Sequence, residues 1–441
     1  MSRRPLWNRG FLSLFATQFF EAASDNVIKG AITFAVAENG PWQSRIGAGG
    51  QGWITVLFTL PFVLLSAFGG RLADRYPKNR STVVLKLASI GVALITVLAF
   101  GCDSLMLAIT ALVAFACVSS FFGPIKYGMI AELVEREQLG RANALINLGT
   151  NLAVITGMVI AGSVAYQFRV AHESGAASSG IGWWLPGLVM LGFTICGLLS
   201  CLTLPRLRAQ SPNLPLNPDP FSTYFAVLKQ MKQGPALAVA LAWTFFYLLA
   251  SVVLQILPDY ASLLKVTEDE TGYLMAIMAV AIGIGCMAAA WLSGARLRLG
   301  LVPFGAAGLA IAFLALGLAP LNYAFTAMGL FALGFVAGFY IIPLQASLQA
   351  LAPDDERGRF LGTANAMSFA MGGAGGAIFS GARWLGVPSN RIFLIIAALT
   401  AIVCVVCVVW LRRNRAIVDA AATLRTLSNP RTTNPASPSH P

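Results

Sequence analysis

The sequence has few charged residues and almost no histidine. Charged residues make up 11% of its 441 residues, against the ~25% typical of soluble domains, which excludes an ordinary solvated fold. The two histidines, His172 and His440, lie outside the apolar segments, so a histidine proton relay inside a membrane is excluded. The sequence also lacks a metal-ligand cluster, a nucleophile–base pair and a nucleotide-binding motif. We therefore expect no metal, no cofactor and no enzymatic activity.

Long apolar runs dominate the chain, and hydrophobic residues make up 57% of it. The runs are continuous rather than alternating, which excludes a transmembrane β-barrel. A helix of ~20 apolar residues crosses the hydrocarbon of a bilayer. We predict an all-α membrane protein with twelve transmembrane helices, at 11–36, 51–73, 81–101, 104–127, 141–167, 181–204, 236–260, 272–295, 299–319, 322–350, 360–385 and 390–411.

The basic residues are distributed unequally between the two predicted sides. With the N-terminus inside, 22 of the 30 lysines and arginines fall on the inner side and five on the outer side. This is the positive-inside pattern, and it predicts that both termini are cytoplasmic. The net charge of +12 then reflects topology and contact with anionic membrane lipids, and not nucleic-acid binding.

The second half of the chain repeats features of the first. Pro124–Lys126 precedes Arg141–Ala144, and about 220 residues later Pro343–Gln345 precedes Thr363–Ala366. A parallel repeat of this kind is typical of transporters whose substrate site lies between two halves. We predict an N-terminal six-helix bundle at 1–204, a cytoplasmic linker at 205–235 with an amphipathic segment at Phe221–Met231, a C-terminal six-helix bundle at 236–411 and a disordered cytoplasmic tail at 412–441.

The first apolar segment carries three charges. Glu21, Asp25 and Lys29 are four residues apart and share one helical face, with Gln18 and Asn26 beside them. Charged groups at membrane depth usually face a bundle interior or a wet cavity. Two interpretations stay open, an Asp25–Lys29 ion pair that holds the helix in place and a polar track along a substrate path. Outside this helix, we expect Lys86 to be an interfacial anchor because it closely follows a basic loop.

One loop motif indicates a superfamily. Gly70–Arg80 resembles the G-x-L-A-D-R-x-G-R-[KR] signature of the major facilitator superfamily, with Pro77 in place of the second glycine. The resemblance implies the major facilitator fold and a clamp between Asp74 and the start of the eleventh span, which closes the cytoplasmic side in the outward-open state. Leu292–Arg296, the second-half counterpart, has no acid, so we expect an asymmetric clamp. The gating residues implied are Gly70, Asp74, Arg75, Arg80, Arg141, Arg357 and Arg359.

A narrower resemblance covers most of the chain. The residues of Gln18–Lys29, Gly123–Gly128 with Glu132, Met278–Gly285 and Gly338–Leu344 are similar to stretches of the lysophospholipid transporter family. The resemblance implies inward movement of lysophospholipids with ethanolamine or glycerol head groups across the bacterial inner membrane. It also implies that a separate cytoplasmic acyltransferase then restores the missing chain. Some members carry an arginine in the seventh span, whereas residues 245–255 have no basic side chain, which leaves the head-group preference open.

A lysophospholipid needs polar contacts beside an apolar groove. Lys29 and Lys126 suit the phosphate, and Asp25 or Glu21 suits an ethanolamine ammonium, although Lys126 is also placed to snorkel to the inner surface. Neutral contacts are expected from Asn26, Asn147, Asn151, Gln255, Gln345 and Asn365. Two other classes stay open: a proton- or sodium-coupled exporter of drugs or small amphiphiles, with Glu21 or Asp25 carrying the proton, and a non-transporting membrane partner or lipid sensor.

Overall fold

A computed structural model of the protein describes residues 6–135, 138–174, 180–209, 212–213, 221–293, 300–352 and 357–414, and 86% of these described residues are helical. This part of the chain contains fourteen helices and no strand. They are α1 (Arg9–Ala35), α2 (Gln43–Ile46), α3 (Gly50–Arg75), α4 (Lys78–Gly101), α5 (Leu105–Leu133), α6 (Leu139–Glu173), α7 (Ile181–Cys201), α8 (Phe221–Met231), α9 (Ala236–Leu264), α10 (Glu268–Ser293), α11 (Leu301–Leu318), α12 (Tyr323–Leu351), α13 (Arg357–Trp384) and α14 (Ser389–Arg413).

The long helices coincide with the predicted apolar segments. Among the described residues, nine helices are long and apolar enough to cross a membrane: α4, α5, α6, α7, α9, α10, α11, α12 and α14. The other three long helices, α1, α3 and α13, are interrupted by charged, polar or glycine residues. The twelve crossings therefore stay a prediction, whereas the all-helical architecture is confirmed.

The long helices pack as two groups, one formed by the helices before α8 in the chain and one by the helices after it. In the first half, α1 lies against α5, α6 and α7, α3 packs on α5, and α4 packs on α5 and α7. In the second half, α12 packs on α10 and α11, α11 packs on α14, and α9 packs on α13. The two most extensive contacts between the halves are α3 with α13 and α6 with α10, and α9 also touches α1 and α3. Any site between the halves is therefore bordered by the α3–α13 and α6–α10 contacts.

The α3–α13 contact is close because glycines face each other. A Cβ atom on Gly52 would lie 2.1 Å from the carbonyl oxygen of Gly376, and one on Gly376 would lie 2.7 Å from the carbonyl oxygen of Gly52. Small residues allow membrane helices to approach in this way. Farther along the same two helices, the rings of Phe62 and Phe369 stack with centroids 4.1 Å apart.

The linker segment predicted to be amphipathic forms α8, with the bounds Phe221–Met231. Val227 and Met231 are buried against the core of the second half, whereas Phe225 is exposed. The predicted division between 1–204 and 236–411 thus falls between α7 and α9. The predicted disordered tail lies outside the described residues from position 415 onward.

Candidate functional site

Glu21 projects from α1 into the first half and meets a lysine there. Lys86 of α4 forms an ion pair with Glu21, and the two side chains are 1% and 5% exposed. The Lys86 ammonium also lies 4.3 Å from the centroid of the Phe122 ring. The prediction that Lys86 is an interfacial anchor is wrong. Its ammonium lies inside the bundle, where the negative charge of the Glu21 carboxylate neutralises it. A buried charge with a well-placed partner is tolerated, whereas an unpaired one is not.

A serine connects this ion pair to the next acid on α1. The Ser119 Oγ atom of α5 lies 3.1 Å from Glu21 Oε1 and 2.9 Å from Asp25 Oδ1. The groups therefore form a continuous row, Lys86–Glu21–Ser119–Asp25, which runs from α4 to α1, on to α5 and back to α1. Asp25 ends this row and is partly exposed.

Lys29, one helical turn beyond Asp25, is also partly exposed. No ion pair joins it to a carboxylate in the described ranges, and its ammonium lies 5.3 Å from the centroid of Phe58 on α3. Phe58 contacts Phe62, which stacks on Phe369 of the second half. Lys29 therefore lies beside the contact between the halves. The buried structural ion pair is Glu21–Lys86, and not the Asp25–Lys29 pair considered from the sequence.

Lys126 of α5 lies on the predicted inner side of Asp25. Its charge acts on the Asp25 carboxylate, while its ammonium lies 4.8 Å from the ring centroid of the exposed Tyr127. Asp25, Lys29 and Lys126 thus form a set of three partly exposed charges, here called the charged triad. With Asp25 ionised and the Glu21–Lys86 pair counted as neutral, its formal charge is +1.

The neutral residues predicted at the site have different surroundings. The Asn26 side chain donates to the Ala22 carbonyl at 2.7 Å, and Gln255 is buried and donates to Thr55 across the halves. Both amides are therefore already engaged. Gln345 is partly exposed, Asn151 and Asn365 are exposed, and the side chain of Asn147 lies outside what the structure describes.

The predicted gating residues lie near the ends of α3, α4, α6 and α13. Arg80, Arg141 and Arg359 are exposed, and the Arg75 guanidinium lies 5.6 Å from the Tyr76 ring centroid. Gly70 is within α3. The side chains of Asp74 and Arg357 are not among the described ones, so the clamp between Asp74 and the start of α13 stays a prediction.

The structure also contains a contact that the motifs did not predict, at the end of the bundle predicted to face outward. Asp259 of α9 is fully buried and accepts hydrogen bonds from Gln51 of α3, from Ser389 of α14 and, at 2.9 Å, from the backbone N–H of Glu38. Arg383 of α13 lies 2.9 Å from Glu38 and 3.7 Å from Asp259. This cluster, here called the outer lock, ties both halves together.

A second polar contact closes the same end on the other side of the molecule. The Arg169 Nε atom of α6 lies 2.7 Å from Glu268 Oε1 of α10. A Cβ atom on Gly162 would lie 2.7 Å from the Glu268 carbonyl oxygen, so the two helices are in close contact there. The halves are therefore joined at the predicted outer end along both of their most extensive helix–helix contacts.

Comparison with known proteins identifies the family. The model of the Major Facilitator Superfamily matches residues 14–377. A relative from Enterobacter sp. (strain 638), named lysophospholipid transporter LplT, is 27% identical over 424 residues, which cover 92% of this chain and 97% of the relative. A relative of the same name from Photorhabdus laumondii is 33% identical over 161 residues, covering 36% of this chain and 37% of its own length.

Solved structures show the same fold. A crystal structure of a peptide transporter POT in complex with sulfate superposes with a TM-score of 0.68 at 14% identity, covering 96% of this chain and 97% of that one. A bacterial homologue of the human lysosomal transporter Spinster, in an inward-facing and unoccupied conformation, gives a TM-score of 0.64 at 12% identity and covers 91% and 98%. The family-model match over most of the chain is decisive: this protein belongs to the major facilitator superfamily of multi-pass membrane transporters.

Proposed function

We propose that the protein is an alternating-access transporter that moves lysophospholipids inward across the bacterial inner membrane. The observation that carries the proposal is the charged triad, in which all three residues are partly exposed, Lys29 is one helical turn from Asp25, and the charge of Lys126 acts on Asp25. The nearly full-length match to relatives named lysophospholipid transporter supports the same substrate class.

The charges of the triad are complementary to those of a lysophospholipid head group. A phosphodiester carries one negative charge, which suits the ammonium groups of Lys29 and Lys126, and Asp25 is left for the ammonium of ethanolamine. A glycerol head group has no ammonium and would use only the two lysines. Because residues 245–255 contain no basic side chain, α9 adds no cation for the phosphate, so we expect the triad to bind the head group alone.

The second half of the molecule suits the acyl chain. In α9 the charged side chain is Asp259, near the predicted outer end, and α12 has none over its whole length from Tyr323 to Leu351. A groove between a charged first half and an apolar second half suits one head group and one chain. We therefore expect a second acyl chain to block transport by its bulk.

Two sets of contacts between the halves would alternate during transport. The outer lock and the Arg169–Glu268 pair close the predicted outer end in this structure, which corresponds to a state that opens toward the cytoplasm. In the opposite state these contacts break, and the clamp at Asp74 would close the predicted inner end. The lipid would then be released inward and used by a separate cytoplasmic acyltransferase, with both termini of the transporter on that side.

Uptake by purified protein in liposomes tests the proposal. Labelled lysophosphatidylethanolamine should cross the bilayer faster with the transporter than in protein-free liposomes. Unlabelled lysolipids of different acyl-chain length should compete, whereas a diacyl phospholipid and a soluble sugar should not. Met106→Ala, at an exposed site on the surface of α5, is a control that should transport normally. Better competition by a sugar or an amino acid would refute the lipid assignment, and no lipid movement at all would favour a sensor.

A further inference from the structure

In the row Lys86–Glu21–Ser119–Asp25, the single hydroxyl proton of Ser119 lies between two acids and can serve only one of them. A serine hydroxyl has one proton to donate, yet Ser119 Oγ is within hydrogen-bond distance of two carboxylate oxygens, at 3.1 and 2.9 Å. If both acids were ionised, one of these contacts would bring two electron-rich oxygens together without a proton between them. Such an arrangement is costly inside an apolar bundle.

The position of Lys86 decides which acid is ionised. Lys86 forms its ion pair with Glu21, so Glu21 is the carboxylate. Ser119 then donates its proton to Glu21 Oε1 and accepts a hydrogen bond from the other acid. We propose that Asp25 carries a proton in this conformation, so that the row contains one buried ion pair and one neutral carboxylic acid.

The groups around Asp25 fit this assignment. The charges that act on it come from Glu21 on the same helix, Lys86 on α4 and Lys126 on α5, and Lys29 is one turn away. On α7, Cys201 lies close to Glu21 and Lys86. The other helices packed on α1 have their described charged residues toward the helix ends: Arg75 on α3, Arg141, Arg169 and Glu173 on α6, and Asp259 on α9.

Asp259, which is fully buried, shows the opposite balance. Asp259 receives hydrogen bonds from Gln51, Ser389 and the Glu38 N–H, and Arg383 lies 3.7 Å away. Every one of these partners is a donor, so Asp259 is satisfied as a carboxylate. The two acids thus differ in their donors although both are inside the bundle.

Protonation at Asp25 links the proton to the substrate, a step that rests on the proposed function. When the ammonium of an ethanolamine head group approaches, the Asp25 O–H bond breaks, the proton passes to water, and the carboxylate pairs with the ammonium. A lysolipid with an ammonium would therefore release a proton on binding, whereas one with a glycerol head group would not.

Infrared spectroscopy of the purified protein, in a detergent without carbonyl groups, tests the proton site without any substrate. The difference spectrum of wild type minus Asp25→Asn should show the C=O stretching band of a protonated carboxyl group. The difference spectrum of wild type minus Asp259→Asn should not show this band. Ser119→Ala keeps Asp25 but removes its hydrogen-bond partner, so the band should shift. Unfolding temperatures of the variants confirm that they are folded. An unchanged band in Asp25→Asn, or a band lost only in Asp259→Asn, would overturn the proposal.

Proton release on binding tests the link to the substrate separately. Addition of lysophosphatidylethanolamine to weakly buffered wild-type protein should release about one proton per bound lipid, as for a single ionising group, and Asp25→Asn should release none. If the infrared band is present but lysophosphatidylethanolamine neither binds nor releases protons, the proton site stands and the proposed substrate is wrong.

Discussion

At the residue scale, two lysines of the first half have different roles although both lie within predicted spans. Lys86 is buried and paired with Glu21, so its charge is already neutralised. Lys29 is partly exposed beside the contact between the halves, with Phe58 under its ammonium. The Glu21–Lys86 pair therefore stabilises the first half, and the charged triad remains the proposed binding site for the substrate.

The stability of variants distinguishes residues with a structural role from residues of the proposed substrate path. Glu21→Ala leaves Lys86 buried without a partner and should lower the free energy of unfolding by about 3–5 kcal/mol. The double variant Glu21→Met with Lys86→Met replaces the pair by apolar side chains and should recover most of the loss. Thermal unfolding in detergent measures both. Lys29→Met is the matched control and should cost little, so an equal loss in Lys29→Met would contradict the division of roles.

The polar face of α1 was predictable because four-residue spacing in an apolar run places Glu21, Asp25 and Lys29 on one side. Which lysine meets which acid was not, because the partner Lys86 lies 65 residues along the chain from Glu21 and a basic loop nearby suggested an anchor. The choice depends on how α4 packs on α5 and α7, and local spacing contains no information about that packing.

At the element scale, the α3–α13 contact determines how closely the halves approach. Gly52 and Gly376 leave no room for a side chain between the two backbones, and the outer lock extends the same contact. Such close approach could be anticipated for glycine-rich helices. The role of Asp259 as a hydrogen-bond acceptor in this contact could not be anticipated. It accepts a hydrogen bond from the backbone N–H of Glu38, 221 residues away in sequence, and no sequence motif links two residues so far apart.

A side chain at Gly52 should shift the balance between the two states of the transporter. Gly52→Val overpacks the closed outer end by about 1–3 kcal/mol, a change of roughly 5- to 150-fold in favour of the outward-open state. Cysteines introduced near the outer ends of α3 and α13 should then react faster with a water-soluble thiol reagent. Gly91→Val on α4, where a Cβ meets no atom within 4 Å, is the control.

The clamp predicted at Asp74 should act in the opposite sense. Asp74→Asn removes the charge that would hold the inner end closed, so the outward-open state should be less populated and the same outer cysteines should react more slowly. Faster labelling in Asp74→Asn, or equal labelling in Gly52→Val and Gly91→Val, would contradict the assignment of the two gates.

At the scale of the whole molecule, the two halves are chemically unequal. The first half carries the charged triad and the row that ends at Asp25, whereas α12 of the second half is uncharged from Tyr323 to Leu351. A single-chain amphiphile is divided in the same way, with a charged head group at one end and an apolar chain at the other. The closed outer end and the charged triad are the two features of the structure on which the proposed lipid transport rests.

Transbilayer uptake of labelled lysophosphatidylethanolamine by wild type and Asp25→Asn in liposomes tests this account most directly. The substitution keeps the shape of the side chain but cannot provide a carboxylate for the head-group ammonium, and loss of such a charge-assisted contact costs about 1.5–3 kcal/mol. We predict rapid uptake by wild type and a roughly 10- to 150-fold slower rate for Asp25→Asn, with unchanged unfolding temperature. Equal uptake by the two proteins would contradict the assignment of Asp25 to the substrate path.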